Sequence, residues 1–563
     1  MKKSHCSKVR LATIVFLSIS IFIALLYRMY DIQVKDNDFL QTQGEIRSLR
    51  SVSVQSFRGM IFDRNGDPLA ISTPVKSLWV NPSQVDLSEK AWAKLATIIQ
   101  RDEQRIKSKI KRKKGKQFAY LKRQIPPHLA KKISKLELKG LYLKTEYKRF
   151  YPMGEVFSHV IGTTNLDHKG IQGLELVLDK TLSGSKGQKK VLKDRYGKNV
   201  GEFEHKTLAE NGENITLSLD GRIQYLAYKS LKQAVEKHQA TAGTAIVLDV
   251  KTGEILAMVN EPTYNPNTRF EYIDSRFRNR AVTDTFEPGS VMKAFSMVNV
   301  LQSGKYYPHT SVDTSPGWVK VGGATVKDFR NYGTLDLGHI MQKSSNVGIT
   351  KLTLALPPES LYQTLKQVGF GEETESALPG EMSGSLNSDV VDRPFTRATL
   401  AFGYGMTVTP LQLAQSYAIL GDQGRRHPTT FLKQSEQVKS EQVIDPTIAQ
   451  AVNKMLQLTT QEGGTGVRAR VPGYMVAGKT GTVRKVSQQG YDDNHHVAVF
   501  AGFVPADRPK VAIVVFIDDP SQGGYYGGVV AAPVFSRIAQ GTMRILNIPQ
   551  QTYDPSEYIL ANK

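Results

Sequence analysis

The sequence predicts a multidomain α+β protein with an N-terminal transmembrane helix, an irregular α+β domain and a C-terminal domain in which helices flank an antiparallel sheet of about five strands. Three observations predict this architecture. The chain has 563 residues, enough for several domains of about 150 residues each. A single long apolar run lies near the amino end. Strand-like alternation also appears at both ends of the region that begins at Asn214.

The first element is a transmembrane helix at residues 11–30, preceded by a basic cytoplasmic tail at residues 1–10. The run from Leu11 to Tyr27 carries no charge and would span roughly 26 Å as a helix, close to the ~30 Å hydrocarbon core of a bilayer. No small-residue cleavage site follows, which favours a retained anchor over a cleaved signal peptide. The positive-inside tendency then predicts that residues 31–563 lie on the outer side.

Composition argues against two classes of protein, a disulfide scaffold and a zinc enzyme. The single cysteine, Cys6, cannot form an internal disulfide, and no Cys/His cluster has zinc-ligand spacing.

The net charge of +22 is concentrated in one part of the chain, since residues 101–150 hold 18 Lys or Arg against 4 Asp or Glu. The Lys-rich stretch at 107–116 is either a solvated face or a patch that meets anionic lipid headgroups or envelope polymers. Nucleic acid fits the charge but not the predicted compartment.

Two further domains are predicted beyond the membrane helix. Residues 31–48 are predicted to form a partly helical linker. Residues 49–212 are predicted to form an irregular α+β domain without obvious catalytic chemistry. In this domain Ser51–Val54 alternates as a strand, and the Lys-rich stretch Gln104–Lys116 is helix-like. A second domain is expected at residues 213–549, followed by a polar tail at 550–563.

The sheet of the second domain is predicted from strands at both of its ends, with a largely helical region between them. Asp220 is expected to cap a helix that follows the first strand. Lys251-Thr252-Gly253 would form the turn of a hairpin. The predicted strands are Ile215–Leu219, Thr244–Asp249, Glu254–Met258, Tyr474–Lys479, His496–Val504 and Lys510–Asp518.

Three motifs occur in order within this domain: Ser290-Val291-Met292-Lys293, Ser344-Ser345-Asn346 and Lys479-Thr480-Gly481-Thr482. This ordered set is typical of penicillin-interacting serine enzymes. Each motif alone is weak, because Ser-x-x-Lys also occurs at Ser108/Lys111 within the basic stretch. The ordered triple is far more specific.

The chemistry of these residue types suits acyl transfer. Pro288-Gly289 precedes Ser290 and predicts a helix that starts at the serine, with Lys293 one turn away on the same face. A neutral lysine can take the proton of a serine nucleophile, and both burial and a second cation, Lys479, would lower its pKa. We expect Ser344 to pass the proton toward the leaving amine and Asn346 to hold Lys293 and a substrate amide.

The third motif is predicted to lie at the end of a strand. There the small Gly481 would let a substrate backbone approach as an added strand. The backbone N–H groups of Ser290 and Thr482 are the candidate oxyanion-hole donors.

With its flanking motifs the chain resembles the class B penicillin-binding proteins, and among them the septal peptidoglycan D,D-transpeptidases of cell division. The similarity runs over nearly the whole chain and rests on long, ordered motifs. They are Arg58-Gly59-Met60-Ile61-Phe62-Asp63-Arg64-Asn65-Gly66, Arg149-Phe150-Tyr151-Pro152, Gly170-Ile171-Gln172-Gly173-Leu174-Glu175, Tyr264-Asn265-Pro266-Asn267, Phe286-Glu287-Pro288-Gly289-Ser290, Phe402-Gly403-Tyr404-Gly405, Val408-Thr409-Pro410-Leu411-Gln412 and Tyr525-Tyr526-Gly527-Gly528.

The resemblance implies a single-pass protein of the bacterial inner membrane that acts at the division septum. Its pedestal domain (49–212) would be non-catalytic, and its transpeptidase domain (213–549) would cross-link stem peptides of peptidoglycan. Ser290 would form an acyl-enzyme with a stem peptide or with a β-lactam. Thr480 and Thr482 would bind the substrate carboxylate beside Lys479. No metal or organic cofactor is implied. The implied partners are glycan strands derived from the lipid-linked precursor, the SEDS-type glycosyltransferase FtsW and other divisome proteins.

Four alternatives remain open on sequence alone. A serine β-lactamase would need a water-activating carboxylate, for which no motif is recognisable. A D,D-carboxypeptidase would use water as the acceptor of the same acyl-enzyme. An elongation-type class B transpeptidase is the nearest relative. A non-catalytic divisome scaffold or β-lactam sensor would be expected to have lost Ser290, Lys293 or Lys479, and all three are present.

Overall fold

The computed structural model describes residues 4–54, 56–86, 90–193, 199–268, 275–434, 439–487 and 490–550. Within these residues the α-helices are α1 (Ser4–Tyr30), α2 (Asn37–Ser48), α3 (Ala91–Ile99), α4 (Glu103–Lys111), α5 (Pro127–Ser134), α6 (Ser158–Ile161), α7 (Gly173–Val177), α8 (Asp179–Ser183), α9 (Gly221–Lys237), α10 (Arg280–Thr283), α11 (Lys293–Gln302), α12 (Leu337–Lys343), α13 (Asn346–Leu354), α14 (Ser360–Val368), α15 (Pro394–Leu400), α16 (Pro410–Gly421), α17 (Pro446–Thr460), α18 (Gly527–Val530) and α19 (Ala532–Ile545).

The strands are β1 (Leu49–Val54), β2 (Ile61–Phe62), β3 (Pro68–Val80), β4 (Ala119–Ile125), β5 (Leu141–Phe150), β6 (Gly187–Lys193), β7 (Asn199–Thr207), β8 (Ile215–Thr216), β9 (Ala242–Asp249), β10 (Ile255–Glu261), β11 (Ser311–Asp313), β12 (Trp318–Val321), β13 (Ala324–Lys327), β14 (Thr334–Asp336), β15 (Arg425–Arg426), β16 (Glu441–Gln442), β17 (Ala477–Ser487), β18 (Gly490–Val504) and β19 (Val511–Asp518).

The chain divides into two compact units, and one of them is formed by residues 1–58 and 183–212. It contains α1, a π-helical turn, α2 and the antiparallel sheet β1-β6-β7. Residues 8–35 are long and apolar enough to cross a membrane, as the sequence predicts. The linker expected to be partly helical is mostly the regular helix α2.

The other unit comprises residues 59–182 and 213–563. In its 59–182 part, β3 pairs antiparallel with both β4 and β5. Helices α3, α4 and α5 contribute Trp92, Ile106 and Ile133 to a core shared with Leu78 of β3. The predicted helix Gln104–Lys116 ends early, at Lys111. Adjacent cations repel one another beyond that point and a glycine follows, so continuation of the helix is unfavourable there.

A buried ion pair fixes this part of the fold. Arg149 Nε lies 2.6 Å from Glu175 Oε1, and both side chains are at most 2% exposed. Arg149 Nη1 also donates to the carbonyl of Gly59 at 2.7 Å. These residues belong to three separate motifs of the resemblance, so one buried guanidinium joins segments that are distant in sequence.

The predicted antiparallel sheet of five strands is confirmed, in the order β10-β9-β19-β18-β17. Its strands come from both ends of the domain, as expected. Phe500 of β18 packs on Phe535 of α19 with ring centroids 4.6 Å apart. Phe503, an odd number of residues away and so on the opposite face, lies near Gly421 of α16. The sheet is therefore covered by helices on both faces, and the α+β fold class is confirmed.

Several predicted strand boundaries are wrong. The strand at 215–219 is only β8, because Ser218 N already bonds the carbonyl of Phe431 outside a ladder. The strand expected at 474–479 begins at Ala477 and continues to Ser487. Asp220 does cap α9, where its carboxylate accepts from Arg222 N.

Candidate active site

Ser290 lies on a 3₁₀ turn, Gly289–Met292, and the α-helix α11 begins only at Lys293. A helical turn therefore begins beside the serine, as predicted, but it is a 3₁₀ turn and the α-helix follows it. Gly289 has φ +60°, and a Cβ at this position would lie 2.5 Å from Val483 Cγ2 of β17. A residue with a side chain would be both strained and too bulky there. Gly289 thus allows the serine turn to pack directly against β17.

The side chain of Lys293 is fully buried and surrounded by oxygen atoms. Its Nζ lies 3.1 Å from Ser290 Oγ and 3.0 Å from Ser344 Oγ. It also lies 2.7 Å from the carbonyl oxygen of Ser344 and 2.7 Å from Asn346 Oδ1. Ser344 and Asn346, the first and third residues of the Ser344-Ser345-Asn346 motif and the two that were predicted to act, are therefore both in contact with this lysine.

This coordination suits a neutral amine. The carbonyl of Ser344 and Oδ1 of Asn346 can only accept, so they use two N–H bonds of Lys293. The remaining lone pair of a neutral amine can then accept the hydroxyl proton of Ser290 or Ser344. Burial first, and then the nearby charge of Lys479, hold the pKa of Lys293 well below its ordinary value. The geometry and the electrostatics both favour a lysine that can act as a base.

Ser344 connects the two buried lysines. Its Oγ lies 3.0 Å from Lys293 Nζ and 3.0 Å from Lys479 Nζ. Ser344 adopts a left-handed conformation, φ +60° and ψ +41°, at the C-cap of α12, which is uncommon for a residue with a side chain. Burial lowers the pKa of Lys479 to about 7. A hydroxyl with one proton and two lone pairs between these amines can relay a proton.

Asp328 is a site residue that the sequence analysis missed. Its Oδ2 accepts from Ser345 Oγ at 2.6 Å. Its Oδ1 accepts from the backbone N–H groups of Asn346 at 2.5 Å and Val347 at 3.0 Å. Ser345 Oγ in turn accepts from Gly348 N and caps α13. The carboxylate thus fixes the turn that presents Ser344 and Asn346 to Lys293.

No local pattern points to Asp328 in the sequence. It follows β13 and lies 17 residues before Ser345, so no helical or strand periodicity links the two. Only the return of the chain to α13 brings them together.

The Lys479-Thr480-Gly481-Thr482 motif lies within β17, an edge strand of the sheet. Thr480 Oγ1 donates to Thr465 Oγ1 at 2.8 Å, and Thr482 Oγ1 accepts from Gly527 N at 2.9 Å. A Cβ on Gly481 would lie 3.0 Å from the carbonyl oxygen of Pro288. Gly481 therefore has a packing role, since it admits the turn that precedes Ser290.

The turn of Ser290 and the backbone of Thr482 are neighbours. A Cβ on Gly289 would lie 3.8 Å from the carbonyl of Thr482. The two backbone segments that carry the predicted oxyanion-hole donors therefore run side by side. Within the part of the chain that the structure describes, no group of three or more His, Cys, Asp or Glu side chains is placed to hold a metal ion.

Two family models match the chain. Residues 243–540 match the penicillin binding protein transpeptidase domain, and residues 53–217 match the penicillin-binding protein dimerisation domain. The first match includes all three motifs described above, and the second covers strands β2–β8 and helices α3–α8.

Named relatives cover almost the whole chain. The peptidoglycan D,D-transpeptidase FtsI of Escherichia coli K12 is 40% identical over 545 residues, which is 95% of this chain and 92% of that protein. The probable peptidoglycan D,D-transpeptidase PenA of Neisseria gonorrhoeae is 40% identical, over 97% of this chain and 94% of that protein.

Solved structures of similar proteins lead to the same family. A peptidoglycan synthetase from Bifidobacterium adolescentis superposes with a TM-score of 0.72 at 26% identity, over 90% of this chain and 98% of the other. Penicillin binding protein 3 from Mycobacterium tuberculosis, complexed with aztreonam, gives a TM-score of 0.69 at 28% identity, over 89% of this chain and 98% of the other. The chain therefore belongs to the class B penicillin-binding proteins, with a dimerisation domain followed by a transpeptidase domain.

Proposed function

We propose that this protein is a peptidoglycan D,D-transpeptidase that cross-links the stem peptides of septal cell wall during cell division, and that β-lactams acylate it at Ser290. The names of its relatives support the reaction class, since FtsI of Escherichia coli and PenA of Neisseria gonorrhoeae are called peptidoglycan D,D-transpeptidases. The bound aztreonam in the Mycobacterium tuberculosis relative supports the inhibitor class.

In the proposed acylation step, Ser290 Oγ attacks the carbonyl carbon of the penultimate D-alanine of a donor stem peptide. Its proton passes to neutral Lys293, whose Nζ is 3.1 Å away. The backbone N–H groups of Ser290 and Thr482 stabilise the oxyanion. As the C–N bond breaks, Ser344 delivers a proton to the departing D-alanine amine and is reprotonated through the lysines.

In the proposed second step, the amine of a neighbouring stem peptide attacks the ester on Ser290. A new amide bond forms, the acceptor amine loses its proton to the same relay, and the Ser290 hydroxyl is regenerated. Lys479, Thr480 and Thr482 hold the carboxylate of the donor, and Asn346 holds Lys293 and a substrate amide.

The observation that carries this proposal is the environment of Lys293. Two acceptor-only oxygens at 2.7 Å and two hydroxyls at 3.0 and 3.1 Å surround one buried nitrogen. The two acceptor-only oxygens take the two N–H bonds of a neutral amine, and its lone pair is then left facing the hydroxyls of Ser290 and Ser344. A purely structural lysine would have no reason to be placed against the one serine that follows Pro288-Gly289.

We further propose the domain organisation and location that the resemblance implies. Residues 1–10 are cytoplasmic and residues 11–30 cross the inner membrane. Residues 31–48 form a linker, 49–212 the pedestal and 213–549 the catalytic domain on the outer side. The predicted tail at residues 550–563 lies, from residue 551 onward, outside the described residues. The length and apolarity of residues 8–35 support the single crossing. The helix and pedestal would bind the SEDS-type glycosyltransferase FtsW and other divisome proteins.

The test is a transpeptidation assay with the full-length chain. The protein is incubated with a synthetic donor that ends in D-Ala-D-Ala and with an acceptor stem peptide that carries a free amine. The expected products are a cross-linked dimer and free D-alanine, both lost in Ser290→Ala. A matched control is Ser108→Ala, which removes the serine of a second Ser-x-x-Lys match, on α4, and should be fully active.

Other outcomes would contradict the proposal. Release of D-alanine without a dimer would identify a D,D-carboxypeptidase. Absence of both products, with the protein folded and its partners present, would favour a non-catalytic scaffold. Equal loss of activity in both serine variants would remove the special role of Ser290.

A further inference from the structure

A cavity of about 420 Å³ opens in the pedestal between helix α4 and strand β4. Four cationic side chains line it: Arg101, Arg105, Lys109 and Lys122. Lys109 belongs to the Lys-rich stretch at 107–116, which the catalytic proposal leaves unexplained, and the lining contains none of the three catalytic motifs. It is called the cationic cavity below.

The geometry of α4 explains why cationic side chains converge on this cavity. Asp102, Arg105, Ile106 and Lys109 are spaced at i, i+3, i+4 and i+7, so they share one face of the helix. Ile106 on this face is buried in the pedestal core and anchors the helix. The cationic side chains beside it are therefore held over β4, where Lys122 Nζ donates to the carbonyl of Ile99 at 2.7 Å.

The charges of the cavity are not neutralised by protein groups. Among the described residues, Asp102 is the one acidic side chain in the lining, and its carboxylate caps α4 by accepting from Arg105 N at 2.8 Å. The ion pair formed on α4 joins Lys107 to Glu103 and does not include a cavity cation. Burial, and then the positive charges of Lys113 and Arg101, lower the pKa of Lys109. Four cationic side chains are thus held together against one carboxylate, so the cavity keeps an excess of positive charge.

We propose that the cationic cavity binds phosphate groups, carried either by an anionic lipid headgroup or by a soluble phosphate compound of the cell envelope. Two guanidinium groups offer paired N–H donors that match phosphate oxygens, and two ammonium groups add point charges. The cavity volume accommodates more than one phosphate. The site is separate from the catalytic serine, so this proposal does not depend on the proposed function.

The test uses the full-length protein in nanodiscs of phosphatidylcholine, with sodium tripolyphosphate as the titrant in calorimetry at low ionic strength. The cavity variant is Arg105→Gln/Lys109→Gln. Its matched control is Lys131→Gln/Lys132→Gln, which removes two exposed cations of α5, outside the cavity lining. Both variants lose the same net charge, so they differ only in where the charge is lost.

We expect the cavity variant to bind tripolyphosphate at least about tenfold more weakly than wild type, because charge-assisted hydrogen bonds are lost. The control should change by less than about threefold, the effect of a distant screened charge. Thermal unfolding and β-lactam acylation rate should be unchanged in both variants. If the double variant does not fold, the exposed Arg105→Gln alone carries the test.

A second arm identifies the source of the phosphate. In nanodiscs that contain phosphatidylglycerol, occupation by lipid headgroups would weaken tripolyphosphate binding to wild type more than to the cavity variant. An equal effect on both would assign the site to a soluble phosphate compound. The proposal is overturned if wild type does not bind tripolyphosphate, if the two variants lose affinity equally, or if polyglutamate binds more tightly, which would indicate an acidic protein partner instead.

Discussion

Replacing Lys479 by methionine should raise the pH at which Ser290 becomes reactive. Lys293 acts as a base only when neutral, that is, at pH values above its pKa. The positive charge of Lys479 is one of the two causes that lower this pKa. Removing this charge favours protonated Lys293, so the pKa of Lys293 rises. The acid limb, the pH range in which the acylation rate increases as Lys293 loses its proton, then moves to higher pH.

The size of the effect follows from the geometry. Each lysine nitrogen lies 3.0 Å from Ser344 Oγ, so the two nitrogens are at most about 6 Å apart. Two unit charges at that distance repel by about 3 kcal/mol at an effective dielectric constant of about 20. This repulsion acts where Lys479 is protonated, which is below a pH of about 7 because burial lowers its pKa to about 7. The variant should therefore differ most from wild type in mildly acidic solution.

The assay is the second-order rate constant for acylation by a chromogenic β-lactam, measured from acidic to mildly alkaline pH. Lys479 is also proposed to bind the β-lactam carboxylate, so the plateau rate should fall as well. The informative quantity is the midpoint of the acid limb. The control is Lys479→Arg, which keeps a permanent positive charge beside Lys293 and should not move the limb to higher pH. A limb that stays in place or moves to lower pH in Lys479→Met would show that the charge of Lys479 does not lower the pKa of Lys293.

Three other predictions follow from the same contacts. Asp328→Asn should move the acid limb to lower pH, because the Asp328 charge raises the pKa of Lys293. It should also slow acylation by loosening the Ser345 turn. If Asp328 had a purely structural role, the rate would change and the acid limb would stay at the same pH. Gly289→Ala should lower the melting temperature and nearly abolish acylation, because the new Cβ would clash with Val483. The control is Gly304→Ala, at φ +66°, where a Cβ would have no atom within 4 Å; this change should cost only about 1 kcal/mol of stability. Arg149→Met should destabilise the protein to chemical denaturation by about 3–5 kcal/mol, because it leaves the carboxylate of Glu175 buried without its ion-pair partner; a loss no larger than that of the exposed Arg508→Ala would contradict this assignment.

The parts of the site that the sequence predicts are those set by short-range spacing and motif order. Ser290 and Lys293 are three residues apart, and any helical turn brings them onto one face. The third motif contains β-branched residues typical of a strand, and β17 includes it. The long apolar helix and the five-stranded sheet were predictable because hydrophobic length and alternation are local signals.

Contacts between distant segments were not predictable. Asp328 reaches the Ser345 turn only through tertiary structure, and the ion pair of Arg149 with Glu175 joins a strand to a short helix. The 3₁₀ turn at Ser290 depends on how closely Gly289 approaches Val483, which sequence alone does not reveal. The early end of α4 reflects the adjacent cations and the glycine that follow Lys111, which a periodic pattern does not capture.

The most direct measurement of the central claim is intact mass spectrometry of the full-length protein after incubation with benzylpenicillin, followed by peptide mapping. We expect a stable adduct of one drug mass on the peptide that contains Ser290, present in wild type and Ser108→Ala and absent in Ser290→Ala. An adduct that persists in Ser290→Ala, or hydrolysis of the drug without any adduct, would contradict it.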